Sequence, residues 1–402
     1  MQCPKIFKKK MSKKKILFIG HQAESVGGAE DDLERLLKFT YQSQEFENTL
    51  LIPEGPRVKQ YGMFADKVIT YKIGYLPGLY TNILDYFKYL LKILIQFFDI
   101  IRKIKNTRQY NICVVNVTVL VMPAVFIKLL NRKIKTIFFI REMIKPNFIR
   151  KIVFKIISKI SSGVIFVSEG LKTDYINYAG DSKNSIVMYS ASEPSDFFES
   201  DKAIEYVRNF FERNFFVENT RIILNIGPVS PIKNQKLIIE SLKNIILLNP
   251  GIRPVFLHLG RIEPNFFYAK ELLKLIKEQG LEKNVLFLNA LDKETTQEFI
   301  KKSDVVVISS ISEGFPLVVS EAFMNETVLI TTDCISNERI LENNYNCIII
   351  KNDISELSEA ITKIFQNEKL RLALIKNALK TADEFLNLER NMNFFIKYLQ
   401  VV

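Results

Sequence analysis

The chain of 402 residues contains little histidine and little cysteine. Its two histidines, His21 and His258, are too few for His-rich metal sites and for most His-dependent catalytic triads. The cysteines are widely spaced and form no CxxC pair, so the sequence predicts neither a zinc site nor a disulfide framework. A reducing compartment fits this usage, and we expect a cytoplasmic protein. The four cysteines are Cys3, Cys113, Cys334 and Cys347.

Long uncharged apolar runs are also scarce. The longest charge-free stretch, Gln109–Ile127, has 19 residues, which is enough to span a membrane. Because it contains Asn116 and Pro123, it is better divided into a buried strand, a turn and a helix. The Lys-rich start resembles a signal peptide, but the apolar run that follows stops at Gly20. We therefore expect no export signal, and a disordered basic arm over residues 1–14.

Apolar residues make up 48% of the chain and aromatic residues 11%, which excludes intrinsic disorder and collagen-like scaffolds. Short apolar runs alternate with longer amphipathic stretches, and this alternation predicts an α/β protein with two doubly wound parallel sheets. The predicted strands of the first half are Lys15–Ile19, Thr49–Ile52, Ile112–Val117, Thr136–Ile140, Val164–Val167 and Ser185–Tyr189. Those of the second half are Ile222–Ile226, Pro254–Leu259, Val285–Leu288, Val305–Ser309, Val328–Thr331 and Cys347–Ile350.

The length implies two or three domains. The stretch Ser190–Thr220 is polar and contains no convincing strand, so we place the domain boundary there. The predicted first domain is 1–195 and the second is 196–384, with a last helical segment at 385–402.

Positive charge is concentrated in the first half. Residues 1–200 hold 31 Lys and Arg against 18 Asp and Glu, whereas residues 201–402 hold 25 against 26. Residues 101–150 alone have eleven basic side chains and one acidic side chain, Glu142. The first half should therefore attract an anionic partner, such as an anionic membrane surface on the inner face. Recognised nucleic-acid modules and aromatic stacking platforms are not evident, so we expect no nucleic-acid partner.

The segment Asn82–Lys105 has helical periodicity and interleaves aromatic and aliphatic residues with lysine and arginine. It is too charged to span a membrane. A basic amphipathic helix of this kind can lie in the headgroup plane of an anionic leaflet. It can equally be a core-facing helix with a solvated basic edge.

Three loops follow predicted strands and could hold a charged ligand, since ligands of doubly wound sheets sit at the carboxyl ends of strands. The first loop places Gly27 and Gly28 before a helix whose first turn is acidic. Those carboxylates would repel a diphosphate, so the loop is better suited to an acceptor pocket. A flexible turn that needs glycine torsions is the alternative.

The second loop follows Ile222–Ile226. Gly227 permits a close approach of the backbone to a ligand, and Lys233 can neutralise phosphate charge. Asn234 is a plausible N-cap for the next helix. The alternative is a solvated lysine at a helix start.

The third loop follows Val305–Ser309 and reads Glu313-Gly314-Phe315-Pro316-Leu317. Proline suits the first position of a helix, so the amides of Gly314, Phe315 and Leu317 can receive anionic oxygens. Glu313 lies in the loop and Glu321 lies more than one turn into the helix, so the two carboxylates can bind different hydroxyl groups of one long ligand. A surface Glu and a solubilising Glu are the alternative.

The run SDVVVISSISEGFPLVVSEAFMNETVLITTD resembles the hallmark of the family 4 (group 1) retaining glycosyltransferases, in which two glutamates stand eight positions apart around an EGFP-type loop. Further segments resemble this family in the same order and cover most of the chain. They are GGAE after the first strand, VIFVSEGLK at Val164–Lys172, IGPVSPIKNQ at Ile226–Gln235 and YAKELLKLIKEQGLEKNVLFL at Tyr268–Leu288.

This resemblance implies the GT-B fold, in which two Rossmann-like domains face each other across a cleft. The second domain would bind a UDP- or GDP-linked sugar, which is a substrate and not a cofactor, and the first would bind a saccharide or lipid-linked acceptor. A final helix, for which Phe385–Tyr398 is a candidate, would return to the first domain. Transfer would retain the anomeric configuration and need no metal ion.

The resemblance also implies residue roles. Lys233 would bind the donor diphosphate, Glu313 the donor sugar and Glu321 the ribose. Gly227 and the segment Gly314-Phe315-Pro316-Leu317 would contact the phosphates or the sugar. Lys233 and the helix N-terminus would stabilise the departing nucleoside diphosphate, and Lys233 and Glu313 are the predicted catalytic residues.

The sequence departs from the family at two places. Pro228 stands where many members have an arginine, so a phosphate-binding cation is missing unless Arg261 or another residue replaces it. Arg141 and Glu142 follow a middle strand where members often have a histidine. Arg141 could clamp an anionic acceptor or help to hold the donor; a surface arginine is the alternative.

The leading hypothesis is a glycosyltransferase of cell-surface polysaccharide or glycolipid synthesis. The competing hypothesis is a non-catalytic GT-B subunit that binds saccharide or a partner protein, and it is motivated by Pro228. An epimerase of the same architecture is a weaker alternative, because a fold does not fix a chemistry.

Overall fold

The computed structural model describes residues 13–23, 27–71, 95, 97–104, 106–142, 147–181, 184–193, 200–215, 218–263, 266–335 and 339–402. The chain forms two compact units. The first unit comprises Met1–Val167, Leu171–Val187 and Met392–Val402, and the second comprises Ser168–Gly170 and Met188–Asn391. The chain thus passes between the units near residue 188, a few residues before the predicted boundary at 195.

The first unit is built on a sheet of seven parallel strands in the order β3-β2-β1-β4-β5-β6-β7. The four innermost residues of β1 and all of β4 are buried, as expected for strands that are covered by helices on both faces. The strands are β1 (Lys14–Ile19), β2 (Phe46–Pro53), β3 (Lys67–Tyr71), β4 (Ile112–Val115), β5 (Lys135–Ile140), β6 (Gly163–Phe166) and β7 (Ser185–Val187).

The helices that connect these strands are amphipathic and cover the sheet. They are α1 (Gly28–Gln42), α2 (Val58–Gly62), α3 (Val121–Leu130), α4 (Asn147–Ile160) and α5 (Glu169–Ala179). Short 3₁₀ turns at Thr107–Gln109 and Thr118–Leu120 lie before β4 and before α3. Helix α13 (Leu388–Val401) ends the chain, and most of it belongs to the first unit. There Phe395 packs against Phe139 of β5, with ring centroids 5.7 Å apart.

The second unit repeats this topology with six parallel strands in the order β10-β9-β8-β11-β12-β13. Its core is aliphatic and lies between the sheet and the helices on both faces. The strands are β8 (Thr220–Ile226), β9 (Arg253–Leu259), β10 (Val285–Leu288), β11 (Val305–Ile308), β12 (Val328–Thr332) and β13 (Ile348–Ile350). The helices are α6 (Asp201–Asn214), α7 (Gln235–Leu248), α8 (Phe267–Gln279), α9 (Lys293–Lys301), α10 (Leu317–Met324), α11 (Ile354–Gln366) and α12 (Glu368–Phe385).

Twelve of the thirteen strands coincide with predicted strands, with ends that differ by three residues at most. The sequence analysis missed β3. It is a five-residue edge strand that pairs only with β2 and begins with an exposed lysine, so its apolar run is too short to stand out. The stretch before β8 contains α6, which the sequence analysis did not identify. Ser200 caps this helix by accepting a hydrogen bond from the amide of Ala203.

The charge-free stretch Gln109–Ile127 forms strand, turn and helix as predicted. Within the residues that the structure describes, no helix has both the length and the apolar character needed to cross a membrane. Most of the predicted helix Asn82–Lys105 lies outside the described residues, as does nearly all of the predicted basic arm. Of that segment, residues 97–103 are helical, and Phe97 packs against Phe126 of α3 with centroids 4.6 Å apart.

Candidate functional site in the second unit

The strand order of the second sheet reverses between β8 and β11, which are neighbours in the sheet but not in the chain. Connections leave these two strands in opposite directions, and this opens a crevice at their carboxyl ends. The loop after β8 carries Gly227 and Lys233, and the loop after β11 carries Glu313. The topology therefore brings the second and third predicted loops together.

Gly227 needs to be glycine for its backbone conformation. Its φ of +142° is one that residues with a side chain rarely adopt. A Cβ atom at Gly260, on the neighbouring strand end, would lie 1.8 Å from the carbonyl oxygen of Gly227, so the two loops approach closely. A Cβ atom built on Gly227 would lie 3.5 Å from Cε of Lys233, which shows that the lysine stem extends over this glycine.

Lys233 and Glu313 form an ion pair across the two loops. The Lys233 ammonium lies 2.5 Å from Oε1 of Glu313, and both side chains are largely buried, with 24% and 13% of their surface exposed. The Ser310 hydroxyl donates to the same Oε1 at 2.6 Å. Two residues separated by 80 positions are thus held at one point at the end of the sheet.

Buried hydroxyl groups hold the backbone of Lys233 and of Ser310, the residue that donates to Glu313. Ser309, which is fully buried, donates from Oγ to the carbonyl oxygen of Lys233 at 2.8 Å. Thr332, the last residue of β12, donates to the carbonyl oxygen of Ser310 at 2.6 Å. Sequence reasoning assigned no role to these three residues. The available signal was a hydroxyl residue at the end of each of two neighbouring strands.

The amino terminus of α10 lies directly after Glu313. Pro316 is the N-cap of this helix and not its first residue, so the predicted position of the proline was wrong by one. No side chain caps the helix and no acidic residue lies in its first turn. In the part of the chain that the structure describes, the amides of Gly314, Phe315 and Leu317 donate to no protein acceptor. These amides can bind an anion.

The rest of the loop is held by packing. The ring of Phe315 is buried against Tyr189, with centroids 4.9 Å apart. In α10, the Ser320 hydroxyl accepts a hydrogen bond from the amide of Ser192 at 2.9 Å. The next residue, Glu321, is partly exposed. This packing makes the helix start a rigid platform.

The start of α7 differs from the prediction. Asn234 is the N-cap of this helix, but its φ of +49° is left-handed and its side chain makes no cap hydrogen bond. Instead its Nδ2 donates to Oδ1 of Asn352 at 2.8 Å. The left-handed turn, which asparagine tolerates better than most residues, sets the direction of the chain after Lys233.

His258 lies on β9, and its contacts are structural. The side chain is fully buried, and its Nδ1 lies 3.0 Å from Oδ1 of Asn225 on β8. Asn225 in turn donates from Nδ2 to the carbonyl oxygen of Val307 on β11. Burial lowers the pKa of His258 to about 4, so the imidazole is neutral at physiological pH. His258 and Asn225 thus link β8, β9 and β11 beneath the site.

A cavity of about 420 Å³ lies at the opposite edge of this sheet, near the amino ends of β8 and β11. Its charged lining is largely self-paired: Arg221 lies 2.9 Å from Asp304, and Arg371 lies 2.6 Å from Glu368. Because ligands of doubly wound sheets bind at the carboxyl edge, this cavity is not the candidate site.

The carboxyl edge of the first sheet holds the predicted acceptor residues. Gly27 is the N-cap of α1 and Gly28 is its first residue. The carboxylate of Glu30 folds back over this helix start, since a Cβ atom at Gly27 would lie 2.5 Å from Oε2 of Glu30. His21 holds the other oxygen, with Nε2 2.9 Å from Oε1. Burial tends to raise the pKa of Glu30, but the contacts with His21 and Gln22 together outweigh it, and the pKa lies below its ordinary value.

Arg141, at the end of β5, faces inward. Its guanidinium donates to the carbonyl oxygen of Asn116 at 2.9 Å and to Oδ1 of Asn116 at 3.1 Å, and it pairs with Asp32 of α1. It also stacks over Phe139, 4.6 Å from the ring centroid. These contacts join β4, β5 and α1. They favour a positioning role over a direct clamp on a ligand, whereas the neighbouring Glu142 is exposed.

Residues 207–381 match the sequence model of the family "Glycosyl transferases group 1". This range contains both loops of the candidate site. The second unit of the chain therefore carries a group 1 glycosyltransferase domain over these residues.

Two curated relatives illustrate how this chain compares with known proteins. It is 24% identical over 269 residues to the N,N'-diacetylbacillosaminyl-diphospho-undecaprenol alpha-1,3-N-acetylgalactosaminyltransferase of Campylobacter jejuni, covering 60% of this chain and 69% of that protein. It is 30% identical over 132 residues to an uncharacterized glycosyltransferase of Methanocaldococcus jannaschii, covering 33% of this chain and 29% of that protein.

Solved structures show that the fold is GT-B. The chain resembles Alr3699/HepE of Anabaena in complex with UDP-glucose with a TM-score of 0.78 and 18% identity, over 96% of this chain and 100% of that one. It resembles the trehalose-6-phosphate synthase OtsA with a TM-score of 0.77 and 11% identity, over 97% of this chain and 99% of that one.

Pro228, at the position where the sequence resemblance implied an arginine, lies in the loop after β8 and is exposed. Arg261 follows the neighbouring strand β9, and its carbonyl oxygen accepts a hydrogen bond from the amide of Val229 in this loop. Its guanidinium is exposed and lies 2.6 Å from Glu263. A second cation is therefore available on the neighbouring strand end, although it is paired with a carboxylate.

Proposed function

We propose that this glycosyltransferase is a retaining enzyme that transfers a sugar from a UDP- or GDP-linked donor to a saccharide or lipid-linked saccharide. The observation that carries the proposal is the Lys233–Glu313 pair beside the uncapped start of α10. A cation, a carboxylate and free amides converge there at the switch point of the second sheet. A sugar diphosphate needs these three groups: cation and amides for the phosphates, and a carboxylate for a sugar hydroxyl.

In the proposed mechanism Lys233 and the amides of Gly314, Phe315 and Leu317 bind the diphosphate. The bond between the anomeric carbon and the diphosphate oxygen breaks, while the acceptor oxygen forms a bond to the same face of that carbon and its proton passes to the leaving diphosphate oxygen. The negative charge that develops on the leaving diphosphate lies opposite the Lys233 ammonium and the positive end of α10. This electrostatic stabilisation requires no metal ion.

The other donor residues follow from this placement. Gly227 lets the backbone approach the phosphates, and Glu313 orients the sugar through a hydroxyl. Glu321, one turn further along α10, would accept a hydrogen bond from a ribose hydroxyl. Pro316, the N-cap of α10, restricts the loop conformation through its fixed φ.

The acceptor is proposed to bind at the carboxyl edge of the first sheet, near Gly27, Gly28 and Glu142, with Arg141 acting through Asp32 and Asn116. Accordingly, residues 1–195 would bind the acceptor, 196–384 would bind the donor and 385–402 would return to the first domain. The undecaprenol-linked substrate in the name of the Campylobacter jejuni relative supports a lipid-linked acceptor. The basic first half supports a location at the inner face of an anionic membrane, and a role in surface polysaccharide or glycolipid synthesis.

Replacing either member of the ion pair tests the site. We expect Glu313→Gln and Lys233→Ala to lower turnover of the nucleotide-sugar by at least about a hundredfold, as is typical when a group that stabilises transition-state charge is removed. Turnover is measured as transfer to a lipid-linked saccharide. The matched controls are Glu271→Gln and Lys236→Ala, which remove a surface ion pair of the same domain with a distance of 2.8 Å.

The controls should keep the activity of the unmodified protein. Full turnover in Glu313→Gln would show that the assignment of this site is wrong.

A non-catalytic saccharide-binding subunit is the second candidate, because Pro228 removes one phosphate cation. Calorimetry separates the two functions. Binding of UDP or GDP supports the transferase, whereas no binding of either at millimolar concentration would favour the subunit.

A further inference from the structure

Helix α4 presents an unusual face to solvent. Phe148 is 62% exposed and Ile152 is 55% exposed, and both are large apolar side chains. Three lysines surround them, Lys151, Lys155 and Lys159, and each of these lysines is exposed. At 100° per residue these five positions fall within one stripe of about 100° along the helix. We call this surface the α4 stripe; it consists of Phe148, Lys151, Ile152, Lys155 and Lys159.

The opposite face of α4 attaches the helix firmly to the first unit. Val153, Phe154 and Ile157 are buried, and the ring of Phe154 packs against Tyr175 of α5 with centroids 5.1 Å apart. Arg150 pairs with Asp174 of α5 at 3.0 Å. The helix therefore already has its core contacts, and the α4 stripe is surplus to the packing of the unit.

The charge of the helix has one sign. Its sequence, NFIRKIVFKIISKI, contains no acidic residue. An ordinary solvated face mixes both signs of charge, whereas interleaved apolar and basic residues on one face are typical of helices that lie in a membrane interface. The neighbouring helix α3 adds Leu129, which is 63% exposed, and Arg132 and Lys133 are exposed just after it.

We propose that the α4 stripe docks on an anionic lipid bilayer. Phe148 and Ile152 would enter the boundary between headgroups and acyl chains, and the three lysines would lie beside lipid phosphates. The helix is about 21 Å long, so it would lie in the plane of the bilayer. This inference deepens the proposed function, because it names the surface that brings the enzyme to a lipid-linked acceptor. It differs from the segment Asn82–Lys105 that the sequence suggested.

Charge complementarity favours a lipid surface over a protein partner. The stripe belongs to a half of the chain with 31 basic and 18 acidic side chains, and an anionic leaflet attracts each juxtamembrane lysine. The two apolar side chains are one helical turn apart, on the side of the helix that faces away from the sheet. They can therefore enter a planar interface together.

Sedimentation with vesicles tests the proposal. The full-length protein is mixed with vesicles of phosphatidylglycerol and phosphatidylethanolamine, or of phosphatidylcholine alone, and the bound fraction is measured. We expect binding to the anionic vesicles only. Lys151→Glu, Lys155→Glu and Lys159→Glu together should weaken binding on the order of a hundredfold. Phe148→Ser with Ile152→Ser should weaken it by about tenfold or more.

Helix α8 supplies a matched control. Phe267 and Leu273 are 64% and 60% exposed, but glutamates are interspersed among the lysines of this helix. The double variant Phe267→Ser with Leu273→Ser should bind vesicles as the unmodified protein does.

Three outcomes would overturn the proposal. They are no binding to anionic vesicles, unchanged binding of the α4 variants, and a change of oligomeric state in these variants on size-exclusion chromatography. The last would assign the stripe to contacts between protein chains. The α4 variants should keep the thermal shift given by UDP-glucose or GDP-mannose, whereas Glu313→Gln should keep vesicle binding. Failure of docking is thus distinguished from failure of the donor site.

Discussion

At the candidate site of the second unit, two residues share the carboxylate of Glu313. Oε1 of Glu313 accepts from both the Lys233 ammonium and the Ser310 hydroxyl. In the free site Lys233 is therefore neutralised by the residue that is proposed to bind the sugar. When a diphosphate binds Lys233, Ser310 continues to hold Glu313 in place. Ser310 is thus a positioning residue, because it acts through Glu313 and does not touch the substrate in the proposed mechanism.

Ser310→Ala tests this role. A hydrogen bond to a charged group contributes about 1.5–3 kcal/mol, so we expect kcat for the nucleotide-sugar to fall by about tenfold or more. Binding of the nucleoside diphosphate without sugar should stay the same, because Lys233 is held independently by Ser309. Steady-state kinetics and calorimetry measure the two quantities.

The control for this variant is Ser303→Ala. The Ser303 hydroxyl donates at the same distance of 2.6 Å, but to the backbone carbonyl of Phe299 and at the amino edge of the sheet. Ser310→Ala with normal kcat and KM would mean that the hydroxyl does not orient Glu313.

At the scale of elements, side-chain caps divide the helices of the second unit into two groups, and α7, α8 and α10 have no such cap. Helices α6, α9, α11 and α12 each have a side-chain cap, from Ser200, Asp292, Asp353 and Asn367 respectively. Helix α10 has none, and its first turn carries no carboxylate. Its positive end therefore stays uncompensated until an anion binds. By contrast, α1 has Glu30 and Asp31 in its first turn, which agrees with an acceptor role for that loop.

The strands beneath the site make a pH-dependent contribution to stability. His258 has a folded-state pKa of about 4, well below the value of about 6.5 for an unfolded histidine. The unfolded chain therefore binds more protons between about pH 4 and 6.5. We expect the free energy of unfolding to fall as the pH is lowered through this range, by up to about 3 kcal/mol from this residue.

Denaturant unfolding of the unmodified protein and of His258→Gln at several pH values measures this contribution. The variant should show a smaller slope with pH than the unmodified protein. Identical slopes for the unmodified protein and His258→Gln would contradict the prediction.

At the scale of the molecule, the two units carry different charge and are proposed to bind different substrates. The second half is nearly neutral overall, so donor binding should depend on the few groups at the switch point and not on a general positive field. The basic first half should make membrane binding sensitive to salt, since exposed charges are screened within about 10 Å at 0.1 M ionic strength.

A donor stabilises the folded protein by mass action. At a nucleotide-sugar concentration of a hundred times Kd, we expect the free energy of unfolding to rise by about 2.7 kcal/mol. A thermal-shift panel of UDP- and GDP-linked sugars would identify the donor as the compound with the largest shift. Lys233→Ala should remove that shift, and an equal shift in this variant would place the donor elsewhere.

The sequence by itself determined the fold class and most strands, because burial on both faces requires continuous apolar runs that can be read locally. It also determined the loops of the proposed donor site, because these follow strands and carry glycine, lysine and glutamate at recognisable spacings. The sequence did not reveal the edge strand β3, because five residues give a weak periodic signal. It did not reveal helix α6, because the segment that forms this helix is polar.

Only the tertiary structure decided how distant residues meet. The pairing of Lys233 with Glu313 and the support from Thr332 depend on the strand order, which no local pattern contains. The inward direction of Arg141 and the exposure of the α4 stripe were likewise decided by packing. The physical reason is that hydrophobic periodicity reports which residues can be buried, whereas the partners of a charged group are set by elements that are far away in the chain.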